Sequence, residues 1–280
     1  MQVVNPNRNY LNKQSKFVSV QGIDVHYRTE GSGPDLVMIH GAFASLHTFE
    51  AWVEHFKKSY RVTTLDLPGF GYTGAHPQKK YDIATYILFF DEFFDKLNIK
   101  ESILAGNSLG GMICWEYALV NQTRIKKLIL IDAAGFVTKW PIPLPFLLVK
   151  NIFFRTILKF WMPKFVLEKS VNDVYHDKSK ITPEIVARYH ELFIQEGNHL
   201  AFADFVRQKI MDNSDRLHKL AVPTLILWGK QDKWIPVRIG SLFANSIPNS
   251  ELIIYDKCGH IPMEEIPEQS IIDVEIFLRN

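Results

Sequence analysis

Cysteine is scarce in this sequence. The 280 residues hold only Cys114 and Cys258, too few for a disulfide framework, and that suits a reducing compartment. Charge of one sign is missing too. Thirty-two Lys and Arg stand against 30 Asp and Glu, a formal net charge of +2, which gives no reason to expect nucleic acid or an acidic partner. No apolar run is long enough and uncharged enough to span a bilayer. The N-terminal stretch MQVVNPNRNYLNKQSKFVSV has no apolar h-region of a signal peptide. There is no internal repeat and no low-complexity segment, no Cys/His cluster at ligand spacing, and no dinucleotide-binding glycine pattern. These absences predict a soluble cytoplasmic protein that uses no metal and no organic cofactor.

What is present is a hydrophobic content of 47%, enough for a sizeable core, in a chain long enough for one large α/β domain or a core with an insertion. Residues 1–15 are polar and Asn-rich, the composition of a loosely ordered arm. Residues 17–20 and 23–27 alternate around Gln21-Gly22 and predict an antiparallel hairpin. Continuous apolar runs at 36–39, 60–65, 103–105 and 128–131 read as strands buried on both faces. Helical spacing separates them at 46–56, at 81–97 (with Ile83, Ile87, Phe90 and Phe94 on one face) and at 111–120. Strand alternating with helix predicts a mostly parallel, twisted sheet of about eight strands covered by helices. The rhythm breaks after Gly135. Residues 136–220 open with Pro141, Pro143 and Pro145 and continue with helical patterns at 146–161, 163–176, 183–195 and 198–211. This predicts a helical cap inserted late in a core made of residues 1–135 and 221–280. Strands return at 222–228 and 251–255, with helices at 237–246 and 264–278.

The chain is organised around Ala105-Gly106-Asn107-Ser108-Leu109-Gly110-Gly111. A strand enters and a helix leaves, with a serine at the apex. Gly106 and Gly110 let the strand and helix approach closely and force Ser108 into a strained conformation. A serine needs a base to take its proton and an acid to orient that base. His260 lies in the loop after the last strand, and Asp232 in the loop after the strand before it. Asp132, at the end of the preceding strand, is the rival acid; the Gly-Lys-Gln-Asp turn directly before the His-bearing unit favours Asp232. Asp66 is expected to hold its own turn through backbone bonds. An oxyanion needs donors fixed in advance. The Leu109 N–H follows the nucleophile at a helix N-terminus, and a second N–H is expected from Ala42, with Phe43 next in line. His40 is expected to brace that loop.

The chain resembles the α/β-hydrolase family. The resemblance rests on His40-Gly41, Asp-x-Pro-Gly-x-Gly at 66–71, the nucleophile elbow at 106–110, Gly-x-x-Asp at 229–232 and Cys-Gly-His at 258–260. It spans residues 17–280 and implies the order Ser108, Asp232, His260 for a triad. It implies the α/β-hydrolase fold, with the insertion as the variable cap. Serine at 108 stands against haloalkane dehalogenases and epoxide hydrolases, which place aspartate there. Gly-Asn-Ser-Leu-Gly-Gly is similar both to lipase-like esterases and to meta-cleavage-product hydrolases, which cut carbon–carbon bonds. The latter carry a glycine-rich loop after His-Gly and an aromatic residue soon after the histidine. This chain reads Ala42-Phe43-Ala44 and Ile261-Pro262-Met263 there. Those departures imply a small-molecule ester substrate of short- to medium-chain or lipid-like acyl type, cleaved through an acyl-enzyme. The alternatives are carbon–carbon hydrolysis and a catalytically silent ligand receptor or scaffold on the same fold.

Phe43, Asn107, Phe146 and Trp161 are the expected substrate contacts, in an apolar pocket under the cap's aromatic residues; the alternative is that those rings only pack the cap on itself. Between Lys139 and Lys169 six charges are basic and one is acidic. That stretch, centred on 146–165, is expected to make at most a weak peripheral membrane contact; otherwise it is a solvated basic face.

Overall fold

The inner strands are apolar on both faces because helices cover both sides of the sheet. In the computed structural model, which describes residues 8–141, 146–147, 164–208 and 211–280, eight strands form one sheet in the order β1-β2-β4-β3-β5-β6-β7-β8. β1 (Lys16–Val20) and β2 (Ile23–Glu30) are the predicted hairpin, with Val20 opposite Ile23. β2 runs antiparallel to β4 (Arg61–Leu65). From β4 onward all pairs are parallel: β3 (Asp35–Ile39), β5 (Ser102–Asn107), β6 (Ile125–Ile131), β7 (Thr224–Gly229) and β8 (Ser250–Tyr255). All six residues of β5 and of β7 are buried, whereas in edge strand β8 only Tyr255 is.

Helices α1 (Glu50–Phe56), α2 (Ile83–Lys96) and α3 (Leu109–Val120) alternate with the first strands. A one-turn 3₁₀ helix over Leu46–Phe49 precedes α1, so the single helix expected at 46–56 is split. Asp82 caps α2, its side chain accepting the Thr85 N–H at 3.0 Å. The buried face of α2 differs from the expected one. Tyr86, Phe89, Phe90, Phe93 and Phe94 are buried while Ile83 and Ile87 are only half-buried. The larger rings take the core side because they remove the most apolar surface from water.

Between β6 and β7 the described residues form helices and loops, with no strand: α4 (Lys164–Val174), α5 (Pro183–Phe193) and α6 (Asn198–Arg207). Of the helix expected at 146–161, all but residues 146–147 lies outside the described residues. Thr182 caps α5 and Pro183 occupies its first position, where a missing N–H costs nothing.

After β7 come α7 (Arg238–Ser246), α8 (Pro262–Glu265) and α9 (Pro267–Arg279). One helix was expected over 264–278. Two form because Pro267 disfavours helical backbone at Ile266, which sits at φ −133°, ψ 56°. A second difference concerns the N-terminal arm. Tyr10 is anchored: its carbonyl accepts from Arg28 Nη2 at 2.6 Å and its N–H donates to the Tyr72 hydroxyl at 3.2 Å.

The parallel strands end on one edge of the sheet. That edge brings together Ile39, Asn107, Ile131, Gly229 and Tyr255, and the loops beyond it carry the chemistry-bearing residues, as is general for open α/β sheets.

Candidate active site

Only Ser108 separates β5 from α3. Its backbone lies at φ 54°, ψ −116°, a conformation that costs a serine about 1–3 kcal/mol. The neighbouring structure holds it there. The Ser108 N–H donates to Ile131 O at 3.0 Å, and its carbonyl accepts from Ala134 N–H at 2.9 Å and Met112 N–H at 3.0 Å. The flanking glycines are needed for space: a Cβ on Gly106 would lie 2.4 Å from Gly110 O, and one on Gly110 would lie 2.2 Å from Ile39 O. Ser108 itself is 8% exposed.

His260 and Asp232 meet across 28 residues of sequence. The imidazole Nδ1 lies 2.6 Å from Asp232 Oδ2, with both side chains buried. The other oxygen of Asp232 accepts the N–H groups of Trp234 at 2.7 Å and Ile235 at 3.0 Å. Trp228, on β7, reinforces the turn, its indole N–H donating to Ile235 O at 3.1 Å. Asp232 is thus held by its own loop against the imidazole. His260 Nε2 is buried and has no hydrogen-bond partner among the described residues; a serine–histidine bond often closes only when substrate is bound.

Asp132 lies close by but is differently placed. Its Oδ1 accepts the Gly229 N–H at 2.9 Å, and its Oδ2 has no partner among the described residues. Burial, with the Asp232 charge adding to it, raises this carboxyl well above the usual carboxylate range and favours its protonated form. One ligand atom each from Asp132, Asp232 and His260 lie within 4.8 Å of one another. That closeness already includes the 2.6 Å Asp232–His260 hydrogen bond, which a cation would have to displace.

On the facing loop, His40 braces the chain with both ring nitrogens. Nδ1 lies 2.7 Å from Gly41 O, and Nε2 accepts the Leu67 N–H at 2.9 Å. Burial pushes its pKa below the usual imidazole value, against the Asp66 charge and the bond to Gly41. Gly41 is packed on the elbow: a Cβ there would lie 2.9 Å from Ser108 Cβ. The N–H groups of Ala42 and Leu109 donate to no described backbone carbonyl. Asp66 holds its turn as expected, accepting the N–H groups of Leu46 at 2.8 Å and Tyr72 at 2.9 Å.

A cavity of about 20 Å³ lies among Ala42, Phe43, Asn107, Tyr189, Trp234 and His260, closed by Leu167, Ser170, Val171 and Val174 of α4. This is room for about one water molecule. Phe43, at φ 64°, is the hub of the rings around it. Its centroid is 4.0 Å from Phe202, 5.2 Å from Phe193, 5.7 Å from Phe146 and 5.9 Å from Trp234. Phe146 therefore joins the expected aromatic group, while Trp161 lies outside the described residues, as do Phe153, Phe154 and Phe160. Asn107 borders the cavity, but its amide group is committed, donating to His260 O at 2.9 Å and Ile131 O at 3.1 Å. It binds the histidine loop to the elbow. Sequence reasoning missed Trp234, whose ring stands 5.4 Å from that of His260; its place two residues after Asp232 was the available signal. It also missed Tyr189, Phe193 and Phe202, which no local pattern links to the site.

No described helix is long and apolar enough to cross a membrane. At the ends of the basic apolar stretch, Leu147 is 48% and Phe165 66% exposed, and residues 148–163 lie outside the described residues.

Comparison with known proteins agrees with this geometry. The uncharacterized hydrolase YugF of Bacillus subtilis (strain 168) is 29% identical over 96% of this chain and 96% of its own length. A 2-hydroxy-6-oxononadienedioate/2-hydroxy-6-oxononatrienedioate hydrolase of Burkholderia vietnamiensis is 27% identical over 95% of this chain and 96% of its own. Among solved structures, a membrane phospholipase A that is a bacterial virulence factor superposes with a TM-score of 0.80 at 26% identity, over 95% of this chain and 85% of the other. The pattern of the alpha/beta hydrolase fold family matches residues 34–267, and with the sheet order and elbow described above the chain belongs to that family of hydrolases.

Proposed function

We propose that the protein is a serine hydrolase of carboxylic esters, with Ser108 as nucleophile, His260 as general base and acid, and Asp232 as the group that orients the imidazole. The observation that carries this reading is the buried Asp232–His260 pair, with its Nε2 unpartnered, beside a serine held at positive φ. Ser108 Oγ attacks the ester carbonyl as His260 takes its proton. The N–H groups of Ala42 and Leu109 receive the oxyanion. His260 protonates the leaving alcohol, then activates the water that releases the acid.

Two features favour an ester over an anionic dienoate. Among the described residues that line the cavity none is cationic, and burying an unpaired carboxylate against them would be costly. Arg188, next in sequence to the lining residue Tyr189, pairs with Glu264. In addition, the loop after His40-Gly41 carries Phe43 where a glycine-rich loop would have no side chain, and its ring packs 4.0 Å from that of Phe202. In this reading residues 136–220 act as a cap whose aromatic rings line an acyl pocket, and the cap must yield to admit a chain into so small a cavity. Exposed Leu147 and Phe165, in a basic stretch, support a weak contact with an anionic membrane surface.

The test is a p-nitrophenyl ester series run beside a meta-cleavage dienoate. Ester turnover with an acyl-enzyme burst, absent in Ser108→Ala, is expected. The value of kcat/KM should rise from acetate to hexanoate, by up to about 0.8 kcal/mol per buried methylene. Turnover of the dienoate alone would replace the ester reading, and a flat series would remove the acyl pocket. For the membrane contact, co-sedimentation with anionic but not neutral vesicles at low salt is expected, and equal binding to both would refute it.

A further inference from the structure

Glu265 is a buried carboxylate, 1% exposed, that neither the elbow nor the Asp232–His260 pair accounts for. It sits at the end of α8, where Pro267 breaks the helix. Both its oxygens are filled by donors from two separate segments. Oε1 accepts the N–H groups of His176 at 2.9 Å and Asp177 at 2.7 Å, just beyond α4. Oε2 accepts the N–H of Gly259 at 2.7 Å, with Cys258 Sγ at 3.8 Å. The two segments also bond directly: the His260 N–H donates to Val174 O at 2.7 Å. The junction leaves no slack. A Cβ on Gly259 would lie 2.2 Å from Val174 O and 2.8 Å from His176 N. Lys180 adds a further tie, its Nζ donating to the Glu265 carbonyl at 2.6 Å.

We propose that Glu265 is a positioning residue that fixes the backbone of His260 to the end of α4, so that the histidine and the α4 wall of the cavity move as one body. α4 supplies Leu167, Ser170, Val171 and Val174 to that wall. A substrate that seats against α4 therefore sets the imidazole at the same time. The inference rests on the proposed role of His260 but reaches beyond it, because it names what holds the ring in register with the substrate.

The chemistry of the side chain makes this testable. A carboxylate offers acceptors on both oxygens, whereas a glutamine must turn its NH₂ toward one of the two segments. Two N–H groups lie on the α4 side and one on the histidine side, so Glu265→Gln keeps its carbonyl on the α4 side and sets donor against donor at Gly259. The histidine loop is the part released.

Glu265→Gln is expected to lower kcat on a p-nitrophenyl ester by up to about 100-fold, the cost of a misplacement near 1 Å, while KM changes little. The low-field proton of the Asp232–His260 hydrogen bond, identified by its loss in His260→Ala, should broaden in the NMR spectrum. A merely structural role would lower the melting temperature and leave both readouts unchanged, and that result overturns the proposal. Should Glu265→Gln fail to fold, the α4 side decides. Asp177→Pro removes one donor to Oε1 at a φ of −83°, close to that of proline, and Asp177→Ala keeps it. A lower kcat and a broader proton signal in the proline variant support the inference; equality of the two variants overturns it. The proton signal needs no turnover. An enzyme inactive on esters but with the signal lost in Glu265→Gln would refute the ester reading and leave this one standing.

Discussion

Among the described residues stand two buried aspartate–histidine pairs, and they differ in whether the histidine borders a cavity. Asp66 Oδ2 lies 2.7 Å from His26 Nδ1; Asp232 Oδ2 lies 2.6 Å from His260 Nδ1. Each aspartate follows a strand and uses its other oxygen for backbone N–H groups, Leu46 in one case and Trp234 with Ile235 in the other. Each histidine leaves Nε2 buried and unpartnered among the described residues. The difference lies in what surrounds the rings. His26 is wedged between Phe17 at 5.2 Å and Tyr72 at 5.4 Å, and its backbone N–H is tied to Thr73 Oγ1 at 3.0 Å. His260 borders the cavity beside Ala42 and Asn107. An imidazole hydrogen-bonded to a buried aspartate is thus no evidence of catalysis by itself. What separates the two pairs is that one ring is walled in by aromatic neighbours and the other borders a cavity.

The comparison can be broken most severely at the histidines. In the proposed reading, His260→Ala lowers kcat by roughly 10⁵–10⁶-fold. Removing either histidine leaves a buried carboxylate without its partner, at a cost of up to about 3–5 kcal/mol in stability, but His26→Ala retains the acyl-enzyme burst at temperatures where it is folded. Burst amplitude, measured below the melting transition of both variants, separates the roles, and equal kinetic losses would erase the distinction.

The acids give the next contrast. Asp232→Asn should cost about 10⁴-fold in kcat by favouring the wrong tautomer. Asp132→Asn replaces a group that already favours its neutral form and should leave kcat little changed. The opposite ranking in steady-state assays would transfer the orienting role to Asp132.

The smallest effect sharpens the role of Asp66. Burial alone would raise its carboxyl, but the hydrogen bond and charge of His26, with His40 and His47 nearby, hold it below the usual carboxylate range. A depressed folded pKa gives stability that is present above the unfolded value, about pH 4, and lost as pH falls through the folded one. Melting curves from pH 6 to 3 should therefore fall below about pH 4, and the fall should be shallower in Asp66→Asn. Parallel curves would remove the Asp66 contribution.

Much of this was legible in the sequence, for physical reasons. Strand runs buried on both faces, the glycines at 106 and 110, and the positions of Asp232 and His260 after successive strands are local patterns. The fold and the parts of the site follow from them. What was not legible depends on long-range approach. Phe43 touches Phe146, Phe193, Phe202 and Trp234, residues that no window of sequence joins. Glu264 and Glu265 look alike side by side; one pairs with Arg188 and the other grips the histidine loop. Asn107 reads as a pocket residue from its place next to Ser108, yet its amide works as a strut. The anchoring of Tyr10 was hidden in the same way, because its partners lie at 28 and 72.

The backbone at Ser108, held at φ 54°, has an evolutionary consequence. Glycine accepts that conformation without penalty, so Ser108→Gly should raise the stability of the fold by up to about 1–3 kcal/mol. A lineage selected for persistence alone would drift to glycine there. A serine there forgoes that stability, and a thermal melt of Ser108→Gly above that of the wild type would measure how much, the amount its proposed reactivity must outweigh.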